Sequence, residues 1–180
     1  LYGSNAYADL HFSFPLYPST PPFPAHAAIV HSRCPELLTP HPELYDLSVS
    51  PFSVVLSPPS AFLEILRFLY CGKISISPAR ALPMLYTARL LKINALPEII
   101  LSYTASTLCS TTAIPYFDQA LLYGEDQVRD DALNCIRQNA RECVEQDAFA
   151  HISEEALLYL VRDPHLVLPE IVLFRGVLKW

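Results

Sequence analysis

Glycine is scarce in this sequence: the 180-residue chain has four. Loops that cradle phosphates need glycine for positive φ and close backbone approach. Nucleotide chemistry therefore lacks its raw material, and no G-x-G-x-x-G, P-loop, G-x-S-x-G or H-E-x-x-H pattern occurs. Cysteine is present but unpaired in pattern: Cys34, Cys71, Cys109, Cys135 and Cys143 are odd in number and scattered, with no C-x-x-C. A disulfide framework or zinc ribbon would show close, paired spacing, so these read as reduced thiols of a cytoplasmic or nuclear protein. No uninterrupted apolar run approaches the ~20 residues of a bilayer crossing, and no basic leader precedes an apolar stretch; a soluble protein is expected. Because the sequence opens without Met and stops at Trp180 inside an apolar periodic stretch, an excerpt from a longer protein is also expected.

Charge is thin as well, at 17%, and unevenly placed. Residues 1–110 hold six acids and six bases, whereas residues 111–180 hold twelve acids against six bases, so the whole net charge of −6 lies in the second part. A phosphate-backbone partner needs a basic stripe, which disfavours direct nucleic-acid binding. What is abundant is core material: 52% of residues are hydrophobic and mean hydropathy is +0.27. That excess, with few glycines and no convergent polar site, points to apolar surface reserved for partner proteins.

Proline divides the chain, with eleven of 17 in residues 1–59. Among them "LHFSF" (10–14) alternates apolar and polar as a half-buried strand does. "PLYPSTPP" (15–22) is a loop by composition, because proline neither donates to a ladder nor sits mid-helix. "FSVVL" (52–56) and "KISI" (73–76) read as two more strands. Helices fill the rest. Phe62, Ile65, Leu66 and Leu69 follow helical spacing, and Gly72 stops that helix. Further helices are predicted over 82–93 with Pro83 in the first turn, 94–108 with Asn94 as cap, and 110–124 with Thr112 as cap and Gly124 as terminator. Three more follow: 125–143, 153–163 capped by Ser153, and 168–180 with Pro169 at its start.

Two constellations could carry chemistry. His26, His31 and Cys34 lie five and three residues apart, whereas zinc favours i, i+4 on a helix with three or four converging ligands. Pro35 also cuts the helix directly after Cys34. Read structurally, His26 opens the apolar helix "AHAAIVHSRC" as a satisfied donor, with Asp9 as its expected partner. A thiol or metal enzyme on Cys34 and His31 is the remote alternative; an activated thiolate needs a base or a helix N-terminus in a cleft, and Cys34 falls at a helix C-terminal end. Asp130–Asp131 and Glu154–Glu155 are adjacent in sequence, so on a helix they point in different directions and form a solvated face. No catalytic group, cofactor or metal is expected.

The ordered blocks resemble a known family. "YADLHFSF" resembles the "SDV-x-F" strand that opens BTB/POZ domains. "FPAHAAIVHSRCPEL" (23–37) is similar to that family's "F-x-AH-x-x-VLAARSPVF" strand-to-helix segment, "SAFLEILRFLYCGKISI" to "AFEALLRFIYTGEIDI", and "LPMLYTARLLKINALPEIIL" to "LELLAAADYLQIEELVEAC". Beyond them, "AIPYFDQALLYGEDQVRDDALNCIRQN" and "HISEEALLYLVRDPHLVLPEIVLFRGVLKW" resemble the first helices of a BACK domain. The resemblance implies an α+β BTB/POZ fold over 1–110, a small mixed sheet flanked by helices, followed over 111–180 by all-α helical hairpins. It implies a non-enzymatic adaptor that dimerises, docks on a cullin scaffold and serves a cullin-RING E3 ubiquitin ligase. A ligase-independent dimerisation scaffold or transcription-linked regulator is the alternative. Asp9 and His26 then mark the strand-helix junction, and Leu37, Leu38, Glu43 and Tyr70 are the implied partner contacts. The sequence departs from the family in three places. Leu1-Tyr2 corresponds only to the tail of the N-terminal dimerisation helix, Ala27 stands where many members carry Lys or Arg, and "HPE" (41–43) puts His41 where the cullin-binding pattern has an apolar residue.

Overall fold

The computed structural model describes residues 1–38, 45–46, 52–54 and 58–180, with 45–46 and 52–54 described as strands. The chain folds as two compact units, Leu1–Ile100 and Leu101–Trp180.

The first unit is built on a small mixed sheet. Strand β1 (Leu10–Ser13) pairs antiparallel with β2 (Phe23–Ala25) and parallel with β4 (Phe52–Val54), and β4 pairs antiparallel with β3 (Tyr45–Asp46), giving the order β2-β1-β4-β3. Pro24 opposes His11 on an edge strand, where its missing N–H costs no ladder bond. Phe12 and Phe14 point from β1 and its exit into the core and meet Phe62 edge-on at ring separations of 5.0 and 5.9 Å. Edge-on contact of this kind stabilises beyond simple burial.

Helix α1 (Ala27–Arg33) follows β2 after a single residue, His26, and ends in a short 3-10 turn over Pro35–Leu38. Helix α2 (Pro59–Cys71) buries Ala61, Phe62, Ile65, Leu66 and Leu69 and stops at Gly72, which takes the left-handed φ of 66° that glycine adopts without a Cβ clash. The predicted strand at 73–76 is not one: the segment runs without a ladder partner to α3 (Pro78–Leu90), which starts four residues earlier than the proline pattern implied. Pro78, not Pro83, occupies the first turn, and Pro83 lies inside the helix, buried with Leu82, Met84 and Leu85. Helix α4 (Ala95–Thr107) completes this stretch, and the boundary between the units falls inside it.

The described residues of the second unit form helices and the turns that join them, with no strand. Helix α5 (Ser110–Tyr123) is capped by Cys109 rather than Thr112. Thr112 sits at the third helical position and reaches back to the Cys109 N–H at 3.0 Å, the reciprocal arrangement of a capping box. Gly124 ends the helix in the left-handed region. The predicted single helix over 125–143 is two, α6 (Asp126–Gln138) and α7 (Ala140–Glu145). The break is at Asn139, whose side-chain amide donates to the Cys135 carbonyl at 3.0 Å; such local bonding competes with helix continuation. A 3-10 turn (Asp147–His151) leads to α8 (Glu154–Arg162), where Ser153 accepts from the Ala156 N–H, and then to α9 (Glu170–Lys179), entered through Pro169. Ile114, Phe117, Ala132, Ile136, Phe149 and Leu160 form the interior.

Candidate functional site

The strand-helix junction at His26 is a closed hydrogen-bonded assembly. His26 is 8% exposed. Its Nε2 lies 2.9 Å from the Ala6 carbonyl oxygen and its Nδ1 2.9 Å from the Tyr70 hydroxyl, which is also 2.8 Å from the His26 backbone N–H. A carbonyl can only accept, so Nε2 carries the proton and Nδ1 accepts from Tyr70 O–H, while the Tyr70 oxygen accepts the backbone N–H. Every polar atom of the imidazole is used. The expected His26–Asp9 pair does not form: Asp9 Oδ1 instead accepts the Ala27 N–H at 2.7 Å, satisfying a donor that the start of α1 leaves free.

Tyr70 is itself held in an aromatic stack. Tyr2 packs against Phe23 at 5.1 Å and edge-on to Tyr70 at 5.7 Å, and donates its hydroxyl to the Leu63 carbonyl of α2 at 2.7 Å. Burial, with the Glu64 carboxylate adding to it, pushes the Tyr2 phenol up to about 12, and burial also raises Tyr70. Residues 2, 6, 9, 26 and 70 thus tie the N-terminal segment, the β2–α1 junction and α2 together.

The residues implied as partner contacts differ in their exposure. Leu37 is 1% exposed and belongs to the core of the 3-10 turn, so it has no surface to offer a partner; this corrects the sequence reading. Leu38, next to it, is half-buried and does present surface. Tyr70 is half-buried with its hydroxyl committed inward, which makes it a pillar of the junction. Glu43 and the rest of 41–43 lie outside the described residues.

Cys34 is buried at the end of α1, with its thiol directed at the Leu91 carbonyl at 3.5 Å, and burial raises its pKa. That is the reverse of what a nucleophile needs, and His31 stands exposed. The thiol with a lowered pKa is one the sequence reading passed over: exposed Cys109, drawn down to about 7 by the hydroxyls of Thr111 and Thr112 at 3.0 and 3.5 Å. Cys143 is its opposite, driven up to about 12 by burial. Among the described residues no group of three or more His, Cys, Asp or Glu side chains converges as a metal site requires, and no helix is long and apolar enough to cross a membrane.

Apolar side chains do reach the surface of the second unit. Ile171, Phe174 and Leu178 of α9 are each more than half exposed and spaced i, i+3, i+7, a stripe that the periodicity of the sequence already contained. Arg137 of α6 holds Asp163 with two contacts, Nε–Oδ2 at 2.7 Å and Nη2–Oδ1 at 3.1 Å, and keeps that carboxyl below its ordinary pKa.

A small mixed sheet with flanking helices, followed by helical hairpins and carrying partly exposed apolar side chains, defines a protein-protein interaction module. Comparison with family models agrees: the BTB/POZ domain matches residues 22–108, and BACK (BTB And C-terminal Kelch) matches residues 113–180. The chain belongs to the BTB–BACK family, a BTB/POZ domain followed by a BACK domain.

Proposed function

We propose that this chain is the adaptor part of a cullin-RING E3 ubiquitin ligase, itself without catalytic activity, working in the cytoplasm or nucleus. In this reading residues 1–110 form the BTB/POZ domain that dimerises and docks on a cullin, and residues 111–180 form the start of the BACK domain. The observation that carries it is the order of the two matched domains, 22–108 then 113–180, because interaction domains in tandem are the parts of an adaptor. Half-buried Leu38, on the turn after α1, supplies the apolar contact on the docking face.

A pull-down of a purified cullin N-terminal region by the full-length protein tests the reading, with sedimentation giving the oligomeric state in the same buffer. Capture together with a dimer supports it; a dimer that captures no cullin assigns the chain to the second reading. That second reading, a ligase-independent dimerisation scaffold, draws on one observation: Leu37, the first apolar side chain a cullin would need, is buried.

A further inference from the structure

Helices α7 and α9 meet at Gly176, where an added Cβ would stand 2.5 Å from Val144 Cγ1 and 3.1 Å from the Phe149 ring. Only glycine allows so close an approach. Beside that contact the two helices leave a hollow of about 340 Å³ whose apolar floor is Val144, Val172 and Gly176. Its rim is cationic, formed by Arg141 on α7 and by Arg175 and Lys179 one turn apart on α9, with Glu145 as the single carboxylate.

Three of the six cations of residues 111–180 therefore gather here, in the part of the chain where acids outnumber them two to one. Glu145 accepts from Arg141 Nε at 3.0 Å. Among the described residues, Arg175 and Lys179 make no ion pair or hydrogen bond, whereas Arg129 is held by Asp126 and Asp130 and Arg137 by Asp163. Like charges at i, i+4 repel along a helix, so the rim is electrostatically unfavourable as it stands. Three cations less one carboxylate leave a surplus of two positive charges.

We propose that this hollow binds a phosphorylated serine or threonine side chain of a partner protein. A phosphomonoester carries about −1.5 to −2 at pH 7 and matches the surplus, where a carboxylate would meet half of it. Two guanidinium groups suit the phosphate oxygens, since arginine forks pair with them bidentately. The space equals about eleven waters at roughly 30 Å³ each, enough for the phosphate and the short side chain bearing it, whose carbons rest on the valine floor. The assignment goes beyond the adaptor reading and does not depend on cullin docking.

Fluorescence anisotropy tests it, with a labelled phosphothreonine nonapeptide of randomised flanks, its unphosphorylated twin, and inorganic phosphate as competitor. The phosphorylated form is expected to bind at least tenfold more tightly and to be displaced by phosphate. Arg175→Gln with Lys179→Gln is expected to lower its affinity at least tenfold, with a circular dichroism melt no lower than the parent's, because both side chains are exposed and their mutual repulsion is removed; Arg175→Gln alone gives a smaller loss of affinity in the same direction. Glu145→Gln is expected to raise affinity by removing the competing carboxylate. Equal binding of the two peptides would overturn the proposal. So would a loss from Arg162→Gln, at an exposed arginine of α8, as large as that from the paired variant.

Discussion

The Tyr70 hydroxyl stands 2.8 Å from the backbone N–H of His26 and 2.9 Å from its Nδ1, so one oxygen satisfies two atoms of a residue 44 positions away. That contact joins α2 to the residue at which β2 turns into α1. Tyr70→Phe keeps the ring packing and leaves both His26 atoms without a partner. A stability loss of about 1–3 kcal/mol is expected from stranding buried polar groups, measured by urea unfolding. In a double-mutant cycle with His26→Ala the two losses should fall short of adding; additive losses would show that the hydroxyl acts through the backbone N–H, which alanine keeps, and not through the imidazole.

Asp9→Ala removes the acceptor of the Ala27 N–H at the start of a seven-residue helix. Loss of a cap-type contact costs about 1 kcal/mol, and Asp9→Asn, which keeps a side-chain oxygen, should cost less. Chemical denaturation of the three proteins checks the order.

Gly176→Ala should destabilise the second unit even though alanine is the better helix former. The propensity gain of at most about 1 kcal/mol is outweighed by a Cβ forced against Val144, whose β-branched side chain has little rotamer freedom to give way. Overpacking of this kind costs about 1–3 kcal/mol. A melting temperature equal to or above that of the parent would contradict the close α7–α9 approach.

Thiol labelling should separate the cysteines sharply. Cys109, exposed and titrating near 7, should react with iodoacetamide fastest at neutral pH, its rate rising through pH 7 and levelling above it. Buried Cys143, shifted up to about 12, and buried Cys34 should label only as the fold opens. Thr111→Val should slow Cys109 at pH 7, because the hydroxyl bond is the leading cause of its lowered value. Mass spectrometry of timed digests reads all five sites.

Asp163 gives a pH signature. Its carboxyl is depressed in the folded state, first by the hydrogen bonds from Arg137, so the contribution to stability is present above the ordinary carboxylate range and is lost as pH falls through the depressed value. The melting temperatures of the parent and Arg137→Gln should differ at neutral pH, and the gap should close as the pH falls below the ordinary carboxylate range. A gap that persists in acid would mean that Arg137 acts by packing alone.

Where the chain carries its own punctuation, the helices could be read directly: Gly72 and Gly124 in the left-handed region, and Ser153 bonding the Ala156 N–H, lie where the local pattern puts them. Failures come where the deciding contact is distant or backbone-borne. "KISI" has strand-like composition, but a strand needs a neighbour, and the residues give no sign of whether one is present. Asp9 was legible as part of the junction, yet its partner is a backbone N–H, while His26 is satisfied by a tyrosine and a carbonyl that no motif announces. Leu37 and Leu38 are alike in sequence; the turn of the 3-10 segment alone decides which faces inward. Cys109 was overlooked because its activation comes from two hydroxyls, not from a histidine.

Isothermal titration of a purified cullin N-terminal region into the full-length protein tests the adaptor account most directly. The account predicts saturable binding of one cullin per chain at about 10 μM or tighter, weakened at least tenfold by Leu38→Asp. A flat titration, from a protein whose unfolding curve shows it to be native, would contradict it.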